Sequence, residues 1–142
     1  MTDTSPFAKF LRTYEESEVI FEENTLGSEM YVIHSGKVKL STGKMRGEVT
    51  LATLGPGEFF GEMALVDSSP RTATAIAVED NTRLVTLDQD KFLYLVGQQP
   101  AFALTIMHEF CRRIRERWIL YDTLLKEKEE PYANPERGTT RE

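Results

Sequence analysis

Apolar and polar residues alternate in short runs over the first two-thirds of the chain. Val19-Ile20-Phe21, Met30 to His34, Gly36 to Leu40, Glu48 to Leu54, Ala73 to Val78 and Arg83 to Leu87 are rich in β-branched and apolar residues, and each has the length of a strand. Turn signals separate them: Asn24, Gly27, Ser35-Gly36, Thr42-Gly43, Arg46-Gly47, Gly55-Pro56-Gly57, Ser68-Ser69-Pro70 and Asp80-Asn81. Val38 and Leu40 alternate with Lys37 and Lys39, and Val49 and Leu51 flank Thr50. Such alternation means one buried and one wet face, the habit of antiparallel sheets. Many short antiparallel strands with no long helix between them predict a mainly β fold, a barrel or jelly roll, over about residues 18–88. A short N-terminal helix is expected over Pro6 to Arg12.

The last third changes period. Asp88 is placed to cap a short helix through Val96, ended by Gly97 and Pro100. Pro100 suits the first turn of a longer helix running to about Lys128. Within it Met107, Cys111, Ile114, Trp118, Tyr121 and Leu125 are spaced 4, 3, 4, 3 and 4. That heptad seam predicts a helix paired with a second copy. The plainer reading packs the stripe on its own domain, a task that Phe102, Ile106 and Phe110 on the other flank can also serve. The basic run from Arg112 to Arg117 reads as a solvated helix face. Beyond Glu130 two prolines, a glycine and few apolar residues predict a disordered tail over 131–142, after one domain over 1–130.

Composition narrows the classes. With 142 residues, 40% of them apolar and 28% charged, the chain suits a single soluble domain. A net charge of −6 argues against nucleic acid as main partner, since phosphate-driven binding needs a basic face. The single cysteine, Cys111, forbids an internal disulfide and fits a reducing compartment. The N-terminus has no apolar run of a signal peptide, and no segment has the apolar length of a membrane span. The expected location is cytoplasmic. His34 and His108 lack companions at metal-ligand spacing, so no metal is expected.

The candidate chemistry concentrates in Phe60 to Thr74, F-G-E-M-A-L-V-D-S-S-P-R-T-A-T. Gly61 permits a sharp turn, and Glu62-Met63-Ala64-Leu65 can form one helical turn whose N–H groups favour an anion. Arg71 offers a planar fork of donors matched to phosphate oxygens, and Thr72 adds a hydroxyl and an N–H. A carboxylate facing phosphate is repulsive, so Glu62 is expected to face a neutral hydroxyl. These are parts for holding a sugar-phosphate. Neither a poised nucleophile nor paired acids accompany them, and an enzyme is not expected.

The string F-G-E-M-A-L followed by P-R-T-A-T, with nine positions from Glu62 to Arg71, resembles the phosphate-binding cassette of cyclic nucleotide-binding domains. That family includes bacterial catabolite activators, kinase regulatory subunits and cyclic-nucleotide-gated channels. Glu18 to Glu23, Met30 to Val38 and Leu54 to Phe60 fall where the family has its early strands and hairpins, so the resemblance covers about residues 5–128. It implies a double-stranded β-helix with C-terminal helices. It further implies that Glu62 accepts from a ribose 2′-hydroxyl and that Gly61 lines the sugar. Arg71 would pair the cyclic phosphate, with backbone N–H groups near Ala64 and Thr72. Met63 and Ala73 complete the cassette, and Leu51 and Ala52 are the matches for the base pocket. The last helix would cap the base, with Arg113, Arg117, Trp118 and Tyr121 as candidates. Asn24 departs from the family's usual glycine, but asparagine tolerates the left-handed conformation and the turn is expected to persist.

The implied ligand is cAMP, and no other cofactor is implied. Thr72 also permits cGMP, because a hydroxyl there reaches the guanine amino group in cGMP-preferring kinase domains. Relatives that regulate transcription carry a helix-turn-helix after the last helix, whereas here 14 polar-rich residues follow Lys128. The expectation is therefore a receptor, homodimeric through its last helix, that acts on an unidentified effector protein, with no direct DNA binding and no membrane contact. The alternatives are a cGMP-preferring receptor and a vestigial, non-binding dimerisation domain derived from a transcription factor.

Overall fold

The computed structural model describes residues 6–43, 47–67 and 69–129. The tail expected over 131–142 lies outside the described residues. The chain divides into two compact units, the first ending at Gln98 and the second beginning at Gln99.

Among its described residues the first unit has eight strands: β1 (Leu11–Tyr14), β2 (Val19–Phe21), β3 (Met30–Ser35), β4 (Val38–Thr42), β5 (Val49–Leu54), β6 (Phe59–Phe60), β7 (Thr74–Ala77) and β8 (Thr82–Leu87). They form two four-stranded sheets ordered β1-β8-β3-β6 and β2-β7-β4-β5. Every pairing is antiparallel. This is the expected jelly roll, in which sequence neighbours such as β2 and β3 lie in different sheets. Helix α1 (Met63–Val66) interrupts the strands, and α2 (Gln89–Gln98) follows them.

The core lies between the sheets. Tyr31, Ile33, Phe60 and Leu84 from one sheet meet Val38 and Ala75 from the other, with Phe21, Leu40 and Leu54 packed around them. Ala73, Ala75 and Ala77 are all buried. Small residues on β7 leave room for the aromatic rings opposite, as close packing requires. Tyr31 and Phe60 stack with centroids 5.1 Å apart and planes 16° off parallel.

Three local expectations need correction, and one strand, β6, has no counterpart among the alternating runs. The helix over Pro6 to Arg12 is a 3-10 turn confined to Pro6–Phe10, after which Leu11–Tyr14 becomes a strand paired with β8. Its four residues show half-buried ends and an exposed middle, and cross-strand pairing outweighs the weak local preference. Strand β6 is only two residues long and follows a turn in which the Glu58 N–H donates to the Gly55 carbonyl at 3.1 Å. Val49 and Leu51 are not inward: they are 57% and 56% exposed, because β5 is the last strand of its sheet and its register slips between Leu40 and Ser41. Gly97 does not end α2, which runs on to Gln98 and stops ahead of Pro100. The expected cap is present, with the Lys91 N–H donating to Asp88 Oδ1 at 2.9 Å.

Among the described residues the second unit holds one long helix, α3 (Ala101–Glu129). Its charges pair along the helix: Arg112 and Arg113 both reach Glu109, Arg112 also reaches Glu116 at 2.6 Å, and Lys126 meets Asp122 at 3.3 Å. Hydrogen bonding from Arg112 holds the Glu109 carboxyl below its usual range. The heptad seam stands exposed, from Met107 (59%) through Ile114 and Trp118 (66%) to Tyr121 and Leu125. No helix among the described residues is long and apolar enough to cross a membrane.

Burial, helped by the neighbouring Glu29 carboxylate, pushes the Tyr31 phenol up from 10.0 to about 12. The folded state therefore favours the neutral phenol, and this contribution is complete below the unfolded value. Unfolding free energy measured in urea is expected to hold to about pH 10 and to decline towards pH 12. A Tyr31→Phe variant, which keeps the ring, should lose that part of the slope. An identical slope in both proteins would refute this assignment.

Candidate functional site

The centre of the site is Arg71, and its placement begins with the backbone. Asn24 has φ 68 and turns the chain after β2, so the expected turn is kept without glycine. The Asn24 N–H donates to the Arg71 carbonyl and the Arg71 N–H to the Thr25 carbonyl, each at 2.8 Å. This reciprocal pair fixes the main chain of Arg71 against the loop that leads into β3.

The side chain then turns inward, leaving the residue only 7% exposed. Nη1 donates to the Gly61 carbonyl at 3.1 Å. Cζ lies 4.1 Å from the centre of the Phe21 ring and 5.8 Å from that of Tyr31. Nε is buried with no hydrogen-bond partner among the described residues. Among the described residues Arg71 forms no ion pair. A buried, unpaired charge costs several kcal/mol, and an unsatisfied donor on the order of 1–3 kcal/mol. The arrangement can accept an anion because the fold leaves donor capacity there.

Two glycines make room for this fork. A Cβ on Gly27 would fall 2.4 Å from Nη2 and 2.6 Å from Nε of Arg71. One on Gly61 would fall 2.9 Å from Nη1 and 3.3 Å from Cε2 of Phe21, and φ there is +75. Gly61 thus supplies both the turn after β6 and an acceptor. Its carbonyl also receives the Ala64 N–H at 3.3 Å. Glu62 follows with helical dihedrals (φ −66, ψ −25) at the head of α1 and is half-buried. Met63 is exposed and Ala64 half-buried. Thr72 is exposed beside Arg71, while Ala73 is buried as the chain enters β7.

The base-pocket candidates lie on β5. Ala52 pairs with Leu40, Leu40 with Ala75 and Ala75 with Phe21, so one row crosses the sheet from Ala52 to the ring beneath Arg71. Leu51 is the extra residue where the register slips, and is exposed. A bulge of this kind re-aims side chains. Arg117, Trp118 and Tyr121 stand on α3 in the second unit, where the Trp118 and Tyr121 rings meet edge to face at 6.2 Å. Sequence reasoning missed Phe21, Tyr31 and Gly27 as parts of the site. Gly27 was visible only as a turn signal, and Phe21 only as a strand residue.

Residues 11–99 match the family model described as cyclic nucleotide-binding domain. The chain belongs to this family. It is 42% identical over 114 residues to the cyclic AMP receptor protein of Thermus thermophilus, covering 80% of this chain and 52% of that protein. The crystal structure of the T. thermophilus catabolite activator protein superposes with a TM-score of 0.74 at 40% identity, over 86% of this chain and 58% of the other. A cGMP-dependent protein kinase of Plasmodium berghei is 36% identical over 83 residues, 58% of this chain and 9% of the kinase. The chain spans about half the length of the bacterial relatives it matches, 52% and 46% in two cases.

Gly27 gives a direct test of the packing around Arg71, with Gly55 as a control. Gly27→Ala should destabilise the protein by about 1–3 kcal/mol in urea unfolding, because the new methyl group occupies guanidinium space. Gly55→Ala, where a Cβ meets nothing within 4 Å, should stay within about 0.5 kcal/mol of the parent. In an Arg71→Ala background the Gly27 penalty should largely vanish. Equal penalties in both backgrounds would show that the clash is with something else.

Proposed function

We infer that this protein is a cyclic-nucleotide receptor that binds cAMP in the cassette around Arg71. The observation that carries the reading is the buried guanidinium with an unpartnered Nε, set in a family cassette. Arg71 takes the cyclic phosphate, Glu62 accepts from the ribose 2′-hydroxyl, and Gly61, Met63, Ala64 and Ala73 line the sugar-phosphate. The base lies against Ala52 and Leu51. Resemblance to a bacterial cyclic AMP receptor protein supports adenine as the base. Signalling runs through α3, whose exposed seam pairs two copies and presents the result to an effector protein. Ligand shifts that equilibrium only by its difference in affinity for the two states.

A second reading, cGMP, is favoured by one observation: Thr72 is exposed beside Arg71, where its hydroxyl can meet a guanine amino group. Titration calorimetry with cAMP and cGMP separates the two. Tighter binding of cAMP is expected, and Thr72→Ala should weaken cGMP while leaving cAMP within a few-fold. Arg71→Ala should weaken either ligand on the order of 100-fold, since hydrogen bonds to charged groups are among the strongest. Absence of heat and of a melting shift with millimolar ligand, or unchanged affinity in the Arg71 variant, would sink the receptor reading.

A further inference from the structure

Arg71 is held where a charged side chain ordinarily needs a carboxylate, yet it forms no ion pair among the described residues. What lies against it is the face of Phe21, 4.1 Å from Cζ, with Tyr31 farther off at 5.8 Å. An aromatic face attracts a cation through its quadrupole, and more strongly where water is excluded. It does so without adding a formal charge. A carboxylate in the same place would hold the guanidinium equally well, but it would neutralise the cation and compete for its N–H groups.

We propose that Phe21 is a positioning residue for anion binding: its ring fixes the Arg71 guanidinium while leaving the charge and Nε for a phosphate. The register supports a dedicated placement. Phe21 pairs with Ala75, whose lack of bulk lets the ring lie inward on the core face. It packs at a tilt against the stacked pair Tyr31 and Phe60, with centroids 5.7 and 5.9 Å away. Gly61 leaves space beside both: a Cβ there would fall 3.3 Å from the Phe21 ring and 2.9 Å from Nη1, so a side chain at this position would displace the ring or the guanidinium. Tyr31 extends the device, donating its hydroxyl to Glu29 at 3.4 Å, which in turn pairs with Arg12 at 3.3 Å. The carboxylate nearest to Tyr31 is thereby engaged by Arg12 on β1.

This inference rests on the receptor reading, and the experiment separates the two. Phe21 is replaced by phenylalanine analogues carrying one, two and three ring fluorines, which keep its shape but progressively weaken the negative face. Affinity for cAMP and cGMP is measured by calorimetry, with thermal melting as the folding control. The expected result is a stepwise loss of affinity along the series, reaching about 5- to 30-fold, with melting temperatures close to the parent. Phe21→Leu should show a loss at least as large, and Phe21→Tyr should restore binding. If the parent binds and the fluorinated series binds equally within twofold, the ring serves only as filling and the inference is overturned. If the parent binds neither nucleotide at millimolar concentration, the receptor reading itself falls, and this inference with it.

Discussion

A guanidinium buried to 7% exposure, with a donor to spare, is the constraint from which the first unit can be understood. Desolvating a cation is costly, and the cost is tolerated only when neighbouring groups are fixed in advance. Here they come from distant parts of the chain. The Phe21 face is delivered by β2, Tyr31 by the opposite sheet, the Gly61 carbonyl by the turn after β6, and the main-chain lock by Asn24 and Thr25. The cassette is therefore not a loop added to a scaffold. It depends on both sheets being closed over one another, and partial unfolding of either one would release the charge to water.

Sheet register carries that dependence outward. The row Phe21, Ala75, Leu40, Ala52 places the ring under Arg71 and the candidate base contact on one face of one sheet. Its middle members are buried or half-buried and cannot be exchanged for larger residues without displacing the rings opposite. β5, by contrast, is an edge with a slipped register and exposed apolar side chains. A rigid anchor at one end of the row and a less constrained strand at the other suit a site that must hold one charged group firmly and accommodate a larger, flatter one.

Much of this was legible in the sequence, because most of the needed information is local. Six strands announced themselves by alternation and turn residues, and the Asp88 cap by residue type and spacing. The cassette was legible because Gly61, Glu62 and Arg71 lie on one short stretch. What was not legible is what depends on pairing between segments far apart in the chain. Gly27 and Phe21 gain their roles from lying beside Arg71, and nothing in their own neighbourhood distinguishes them from any turn glycine or strand phenylalanine. β1 and β6 are too short for a periodic signal, and pairing with β8 and β3 decides them. The exposure of Val49 and Leu51 is a third case: alternation shows which residues share a face, but whether that face is covered depends on which strands lie at the edge.

Helix α3 poses a different physical problem. Glu109 takes two arginines, and Asp122 takes Lys126, so much of its charge is satisfied within the helix. Apolar side chains also stand exposed on it: Met107, Ile114, Trp118, Tyr121 and Leu125 along one seam. Contiguous exposed apolar surface of this kind marks an interaction face. On the proposed reading this seam pairs two copies, so ligand and second copy influence each other only through a difference in ligand affinity between the paired and unpaired states. Any such coupling is reciprocal: whatever free energy the ligand adds to pairing, pairing returns to ligand binding.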